Sequence, residues 1–409
     1  MKIMVKKCRF FFFILSLLSV ITISLHYYLS NLAKSAVVTS SAQSKYEEII
    51  LQHLSELGPE YYKRKSKKVF FNNSFFDVVH FDGTHDLKHI WNYANSAIAK
   101  SRLYKRDNLS LIIHAMKTAK ITKADYYTKG TQFKLNLTLE GDQSVVFKPR
   151  WYKLDRIFNG AVYSGRDRFQ AEILSFYLSA LLDKPMVPIS VERTILFDEI
   201  LQVATPIVHQ TTVQKNSTLC LYGHCLYCVK NDPICPENGK LQGAVIFNMN
   251  DIQLKRYASP WKRVYNKNQK AKWEQDDNYC ESVKKKVTKR LLHEMVDIAI
   301  FDFLLQNGDR HTYELYHQEI VWLDNGKGLG NPYTHHIDIL APLYQCCSYR
   351  PDLINRLKEL SGGALTENLK KILELRQLIT EEHFNALENR LLLIFATLEY
   401  CKYKTKIKH

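Results

Sequence analysis

Two short acidic loops in the last third of the chain carry residue types suited to phosphoryl transfer. Asn307-Gly308-Asp309-Arg310-His311 follows an apolar, helix-like run, and Asp324-Asn325-Gly326 follows a short apolar strand fifteen residues after Asp309. Phosphoryl transfer requires a carboxylate beside the attacking hydroxyl, a bound divalent metal and positive charge against the phosphates. Asp309 and Asp324 can divide the first two tasks. Lys148 closes the strand-like Val145-Val146-Phe147-Lys148 in the N-terminal half, a place from which it can meet phosphates. Glu172 falls three residues after Phe169 and four before Phe176, on the inward stripe of a helical pattern running from about Arg166 to Leu182. A carboxylate on such a stripe needs a partner, and a lysine on the adjacent strand or a metal ion would serve. Taken singly each residue has a plain explanation, since lysines end strands and aspartates begin loops. Their order, with matching local structure, is what points to a site.

The elements that must position these residues are legible in outline. Polar and apolar residues alternate from Thr131 to Leu139, Gly141-Asp142 supplies a turn, and an extended pattern resumes at Val145, so a hairpin is expected whose second strand ends at Lys148-Pro149. Residues 190–250 mix strand-like runs with a cysteine-rich insert. Beyond Val287 the pattern is helical, with Leu291 to Leu305 apolar enough to be buried, Ile320 to Leu323 as a strand, and further amphipathic stretches from Leu365 to Leu398. Strands early and helices late predict an α+β, kinase-like two-lobed fold, with a β-rich N-lobe over 111–250 and a helical C-lobe over 251–409. An ordinary cytosolic protein kinase is excluded. No G-x-G-x-x-G loop precedes Lys148, H-R-D and A-P-E are missing, and Asp324-Asn325-Gly326 stands where such kinases carry D-F-G.

The N-terminus sets the compartment. Phe10 to Leu29 is apolar and of about membrane length, preceded by Lys2, Lys6, Lys7 and Arg9. This predicts a cytoplasmic tail at 1–9, a signal anchor at 10–29 and a lumenal body, beginning with a stem and peripheral segment at 30–110. A cleaved signal peptide is the rival, but Ser30-Asn31-Leu32-Ala33 is a poor cleavage site. Eight of the nine cysteines lie between Cys220 and Cys401, an even number suited to an oxidising lumen, with Cys8 ahead of the span. Closely spaced Cys220, Cys225, Cys228 and Cys235 also admit a zinc knuckle, but two regular C-x-x-C pairs are lacking. Asn72, Asn108, Asn136 and Asn216 each open a glycosylation sequon. The net charge of +16 is spread along the chain. It suits nucleotide phosphates or acidic glycans, and in a lumen no nucleic-acid partner is expected.

From about His114 to Cys401 the chain resembles the atypical secretory-pathway kinases that include the Golgi casein kinase and the Golgi glycosaminoglycan xylosylkinase. The matching blocks are Lys129-Gly130-Thr131-Gln132, Val146-Phe147-Lys148-Pro149, Ala171-Glu172, Cys220-Leu221-Tyr222-Gly223, Asp309-Arg310-His311 with Tyr313-Glu314, Leu323-Asp324-Asn325, and Gln345-Cys346-Cys347. The cysteine spacing of the insert, His114-Ala115-Met116, Leu139-Glu140-Gly141 and Ile339 to Tyr344 are similar to the xylosylkinase branch. Asp324-Asn325-Gly326-Lys327-Gly328 is nearer the casein-kinase form, and Arg168-Phe169-Gln170 and His311-Thr312 depart from the usual Arg-His-Asn and His-His.

What the resemblance implies can be placed residue by residue. Asp309 would be the catalytic base, and Glu172 with Asp324 would hold Mn2+. Gln132 and Lys148, with Lys134 more weakly placed, would meet the phosphates of ATP. Ile246, Phe247, Asn248 and Met249 would form the hinge beside adenine, with Glu314 at the nucleotide site. Disulfides would join Cys220 to Cys235 and Cys225 to Cys228, and would join Cys280 and Cys401 to Cys346 and Cys347 in an order left open. The resemblance implies a Golgi membrane kinase, anchored once with its catalytic part in the lumen, acting on the 2-hydroxyl of xylose in the proteoglycan linker glycan. The alternatives are a serine kinase of secreted proteins and a non-catalytic scaffold for one. A pseudokinase branch lacks the helix glutamate, so Glu172 favours activity.

Overall fold

The computed structural model describes residues 45–63, 86–99, 109–249, 252–266 and 268–407. The expected tail and signal anchor, Cys8, Asn72 and Asn108 lie outside the described residues. Among the described residues no helix is long and apolar enough to cross a membrane. The chain divides into two compact units, Met1–Glu48 and Ile49–His409, and the second holds every described strand.

Its larger sheet is built from β1 (Ile121–Tyr126), β2 (Leu135–Leu139), β3 (Gln143–Pro149), β4 (Ser190–Leu196) and, after a small hairpin of β5 (Thr212–Lys215) and β6 (Thr218–Leu221), β7 (Lys240–Phe247). The spatial order is β1-β2-β3-β7-β4, every neighbouring pair antiparallel. Every residue of β3 is buried, which explains its unbroken Val145-Val146-Phe147 run: a central strand covered on both faces has no solvent side to alternate with. Helices Leu109–Thr118 and Phe169–Leu181 both pack on β4 and β7. The second sheet, in the order β10-β9-β8, is formed by β8 (Lys255–Ala258), β9 (Thr312–Tyr316) and β10 (Glu319–Val321). The remainder is helical, with Lys289–Leu305 and the long Glu381–Ile407 packed on each other.

Three element boundaries differ from the sequence pattern: the strand expected at Ile320 to Leu323 runs Glu319–Val321, and two others shift for a reason at the site. The first hairpin strand starts at Leu135, not Thr131. Gly130 takes a positive φ of 90° and the Tyr127 amide donates to the Lys134 carbonyl, so residues 127–134 close into a loop. Gln132 and Lys134 therefore sit on that loop and not in the strand. The helix carrying Glu172 starts at Phe169, not Arg166, because Arg168 is extended, φ −104° and ψ 110°, while the Asp167 and Arg168 amides donate to Gln132 and to the Gly326 carbonyl.

Segments assigned to a stem reach the body. Tyr61 stacks on Phe395, and the Trp91 indole donates to the Glu140 carbonyl in the β2–β3 turn. The cysteines form Cys220–Cys235, Cys225–Cys228, Cys280–Cys346 and Cys347–Cys401, so no zinc knuckle is left. The order at the adjacent pair is set by the backbone: Cys346 ends a helix and Cys347 is left-handed, φ 46°, which sends successive side chains to different neighbours. Of the sequons, Asn216 occupies the exposed β5–β6 turn, whereas Asn136 is half-buried in β2 and accepts from the Ser144 hydroxyl at 2.6 Å.

Candidate active site

Lys148, near the end of β3, brings its ammonium into a nest of three carboxylates. Nζ lies 2.5 Å from Glu172, 2.8 Å from Asp324 and 3.0 Å from Asp167. Burial alone would push the lysine pKa down. Asp167, Asp324 and Glu172 outweigh it and hold the ammonium well above its usual range. In return Lys148 keeps the Asp324 carboxyl far below the ordinary carboxylate range, assisted by Lys134 and Arg310. The partner that Glu172 needed is thus the lysine on the adjacent strand, and its Oε1 also accepts the Asn325 amide at 3.0 Å.

Asp167 is the member that the sequence pattern missed. Its Oδ1 accepts from the Gln132 amide at 2.7 Å while its own backbone N–H donates back to Gln132 at 2.8 Å, clasping the 127–134 loop to the cluster. A Cβ on Gly326 would stand 2.6 Å from the Asp167 carboxyl carbon, so only glycine lets the Asp324 loop come this close. The signal was available, since a second acid directly ahead of the helix bearing Glu172 faces the same lysine.

Ligand oxygens of Asp167, Glu172 and Asp324 lie within 4.8 Å of one another. Three carboxylates against one ammonium leave a net charge of about −2, and hard oxygen donors match a hard divalent cation such as Mn2+ or Mg2+. Asp324 leaves 60% of its side chain open to the cleft, which gives an ion access. The residues present therefore fit a catalytic metal.

Asp309 enters from the other loop. Gln306 ends helix Lys289–Leu305 in a left-handed turn, φ 59°, and the chain then reverses through Asn307. The Asn307 amide donates to the Asp324 carbonyl at 3.3 Å, while its Oδ1 accepts the Asp309 N–H at 3.4 Å, so one side chain spaces both acidic loops. Arg310 forks onto the buried Asp302 and reaches the Leu323 carbonyl and Asn325 Oδ1. Burial raises the Asp309 pKa, opposed by a hydrogen bond from the Tyr265 hydroxyl and by Lys327 and His311. A carboxylate made more basic while still open to a cleft suits a general base. Asp302 and Arg310 were also missed. The partner rule applied to Glu172 would have flagged Asp302, an acid inside a buried helix.

The structure thus gathers Gln132, Lys148, Glu172 and Asp324, and sets Asp309 beside them through Asn307. Lys134 faces the same cleft, close enough for its charge to help hold down the Asp324 pKa. Glu314 lies on β9 and pairs with Arg256 at 3.6 Å. Ile246 and Phe247 close β7 and Asn248 and Met249 follow it, with Asn248 bonding Ser144 through its backbone N–H at 3.3 Å and its side chain at 3.1 Å.

Comparison with known proteins bears directly on this constellation. The family model described as Fam20C, Golgi casein kinase, C-terminal, Fam20 matches residues 89–409. The chain belongs to the Fam20 family. The human glycosaminoglycan xylosylkinase is 37% identical to this Fam20 chain over 333 residues, covering 78% of the chain and 81% of that protein. The structure of hydra Fam20 with sugar superposes with a TM-score of 0.73 at 37% identity, over 77% of this chain and 95% of that one. The Golgi casein kinase with Mn and ADP bound superposes at 0.72 with 27% identity, over 87% and 90%.

Proposed function

We propose that this Fam20 protein is a kinase that uses ATP and Mn2+ to phosphorylate the 2-hydroxyl of xylose in the glycosaminoglycan–protein linkage region. The observation that carries the chemistry is the Lys148 cluster, with Asp167, Glu172 and Asp324 around one ammonium and Asp309 spaced from them by a single asparagine. A non-catalytic scaffold has no use for such a costly concentration of buried charge. The choice of acceptor is supported by relatives: the xylosylkinase is 37% identical, the casein kinase structure 27%.

In this mechanism Asp309 orients the attacking hydroxyl and accepts its proton as the hydroxyl oxygen bonds the γ-phosphorus in line with the β–γ bridging oxygen, whose bond to that phosphorus breaks and which leaves as part of ADP. Lys148 and Lys134 face the phosphates, and Gln132 holds the loop that lies over them. Asp324, Glu172 and Asp167 would hold the metal, which when bound neutralises charge on the phosphate oxygens. Ile246 to Met249 serve as the hinge beside adenine, with Glu314 nearby. We place the N-lobe at 111–250 and the C-lobe at 251–409, in the Golgi lumen behind an anchor at 10–29, with glycans on the exposed sequons.

The test is a side-by-side assay of the purified protein with Mn2+ and ATP on a xylosyl-galactose linker and on a casein-like serine peptide. Phosphate on the xylose 2-hydroxyl is the expected product. Transfer to the peptide alone would move the protein to the serine-kinase reading.

A further inference from the structure

We infer that Tyr163 and Tyr265 form the aromatic wall against which the acceptor sugar lies, and that the Tyr265 hydroxyl also fixes the catalytic base. This rests on the sugar-acceptor reading above. The two rings meet edge to face, centroids 4.9 Å apart and planes at 78°, and come from separate loops that both touch Gly308, next to the catalytic aspartate. Tyr265 is 50% exposed although its hydroxyl donates to Asp309 Oδ1, so one end of the ring is committed to the base and a large part of the ring is open to the cleft. That hydroxyl stays protonated at any working pH, because burial and then Asp309 raise its pKa.

The wall is held rigidly. Val162, next to Tyr163, sits on the catalytic loop so closely that a Cβ on Gly308 would be 2.0 Å from it. The 158–168 segment is clasped to the metal loop by Phe158 N–H to the Gly330 carbonyl at 2.9 Å, Arg168 N–H to Gly326 at 2.7 Å and Arg168 Nε to Gly328 at 2.6 Å. On the other side Arg263 donates to the Gly308 carbonyl at 3.0 Å, two residues before Tyr265. A pyranose offers C–H faces to an aromatic surface and hydroxyls at its rim. With Tyr265 holding Oδ1 of Asp309, Oδ2 is left for the sugar hydroxyl, and the ring supports the sugar at the distance that attack needs. A serine side chain on an extended peptide has no face to lay on this wall.

The experiment is steady-state kinetics of the full-length protein on the xylosyl-galactose linker, with the KM for ATP and the melting temperature as controls. Tyr163→Ala should raise the acceptor KM about tenfold, with the ATP KM unchanged. Tyr163→Leu, which keeps apolar bulk without a ring, should do the same if Ala proves unstable. Tyr265→Phe keeps the wall and loses the hydroxyl, so kcat should fall about 10–100-fold at a near-constant acceptor KM. An acceptor KM unchanged in folded Tyr163→Ala or Tyr163→Leu, with the wild type active on the linker, overturns the wall alone. A wild type that phosphorylates the serine peptide and not the linker overturns the acceptor class and this inference with it.

Discussion

The Arg310 guanidinium grips Asp302 with two bonds, Nε at 2.9 Å and Nη2 at 2.8 Å, and the pair lies beneath both acidic loops. Its free edge continues to the Leu323 carbonyl and to Asn325 Oδ1, so the Asp309 loop and the Asp324 loop share one anchor. Removing one partner strands the other charge in the interior. Arg310→Ala should cost about 3–5 kcal/mol, read as a lowered midpoint in urea. Arg310→Lys should recover little of this, because an ammonium cannot span the same fork.

Asp309 and Asp324 should fail in different ways. Asp309→Asn keeps shape and removes the proton acceptor, so kcat should drop about 10²–10⁴-fold while ATP still binds with Mn2+. Asp324→Ala opens the metal site, and Mn2+-dependent nucleotide binding by calorimetry should be lost with activity. Robust turnover by either variant would remove the role assigned to it.

Stability should fall as pH drops below neutral. Burial, then the charge of Arg390, depress the pKa of His383 and of His335 to about 4. Each is lower when folded than when unfolded, so its contribution is fully present above about pH 6.5 and is lost as pH falls toward 4. Between pH 7 and 5 the loss should be roughly 2 kcal/mol for buried His383 and less for half-buried His335, visible in melting temperatures. A flat profile across that range would contradict the neutral state of both histidines.

Cys347–Cys401 ties the turn after helix Ala341–Cys346 to the long C-terminal helix. Replacing both cysteines by serine should cost about 2–5 kcal/mol. Peptide mapping without reduction should recover Cys347 with Cys401 and Cys280 with Cys346, never the crossed pairs.

Much of this molecule was written in local pattern. The β2–β3 hairpin, the buried helix ahead of Asp309 and the helix with an inward glutamate follow from alternation and 3.6-residue periodicity, which act over a few residues and survive in one dimension. Order along the chain then placed Lys148, Glu172, Asp309 and Asp324 in their families of elements, and the even cysteine count suited an oxidising compartment. Other features depend on contacts between residues far apart in sequence, and no local pattern carries those. Asp167 joins the cluster because the Asp324 loop folds back over it at Gly326, and Gln132 leaves its expected strand because Asp167 claims it. The choice between Cys346 and Cys347 turned on one left-handed residue. Tyr163 and Tyr265 lie on irregular loops with no periodicity to announce them, and they meet each other, with Tyr265 on Asp309, only when both loops are pinned at Gly308. Sequence therefore determined which chemical groups are present and in what elements. Tertiary structure decided which of them share a charge, since that energy depends on distances of 2.5–3.0 Å that only the folded chain sets.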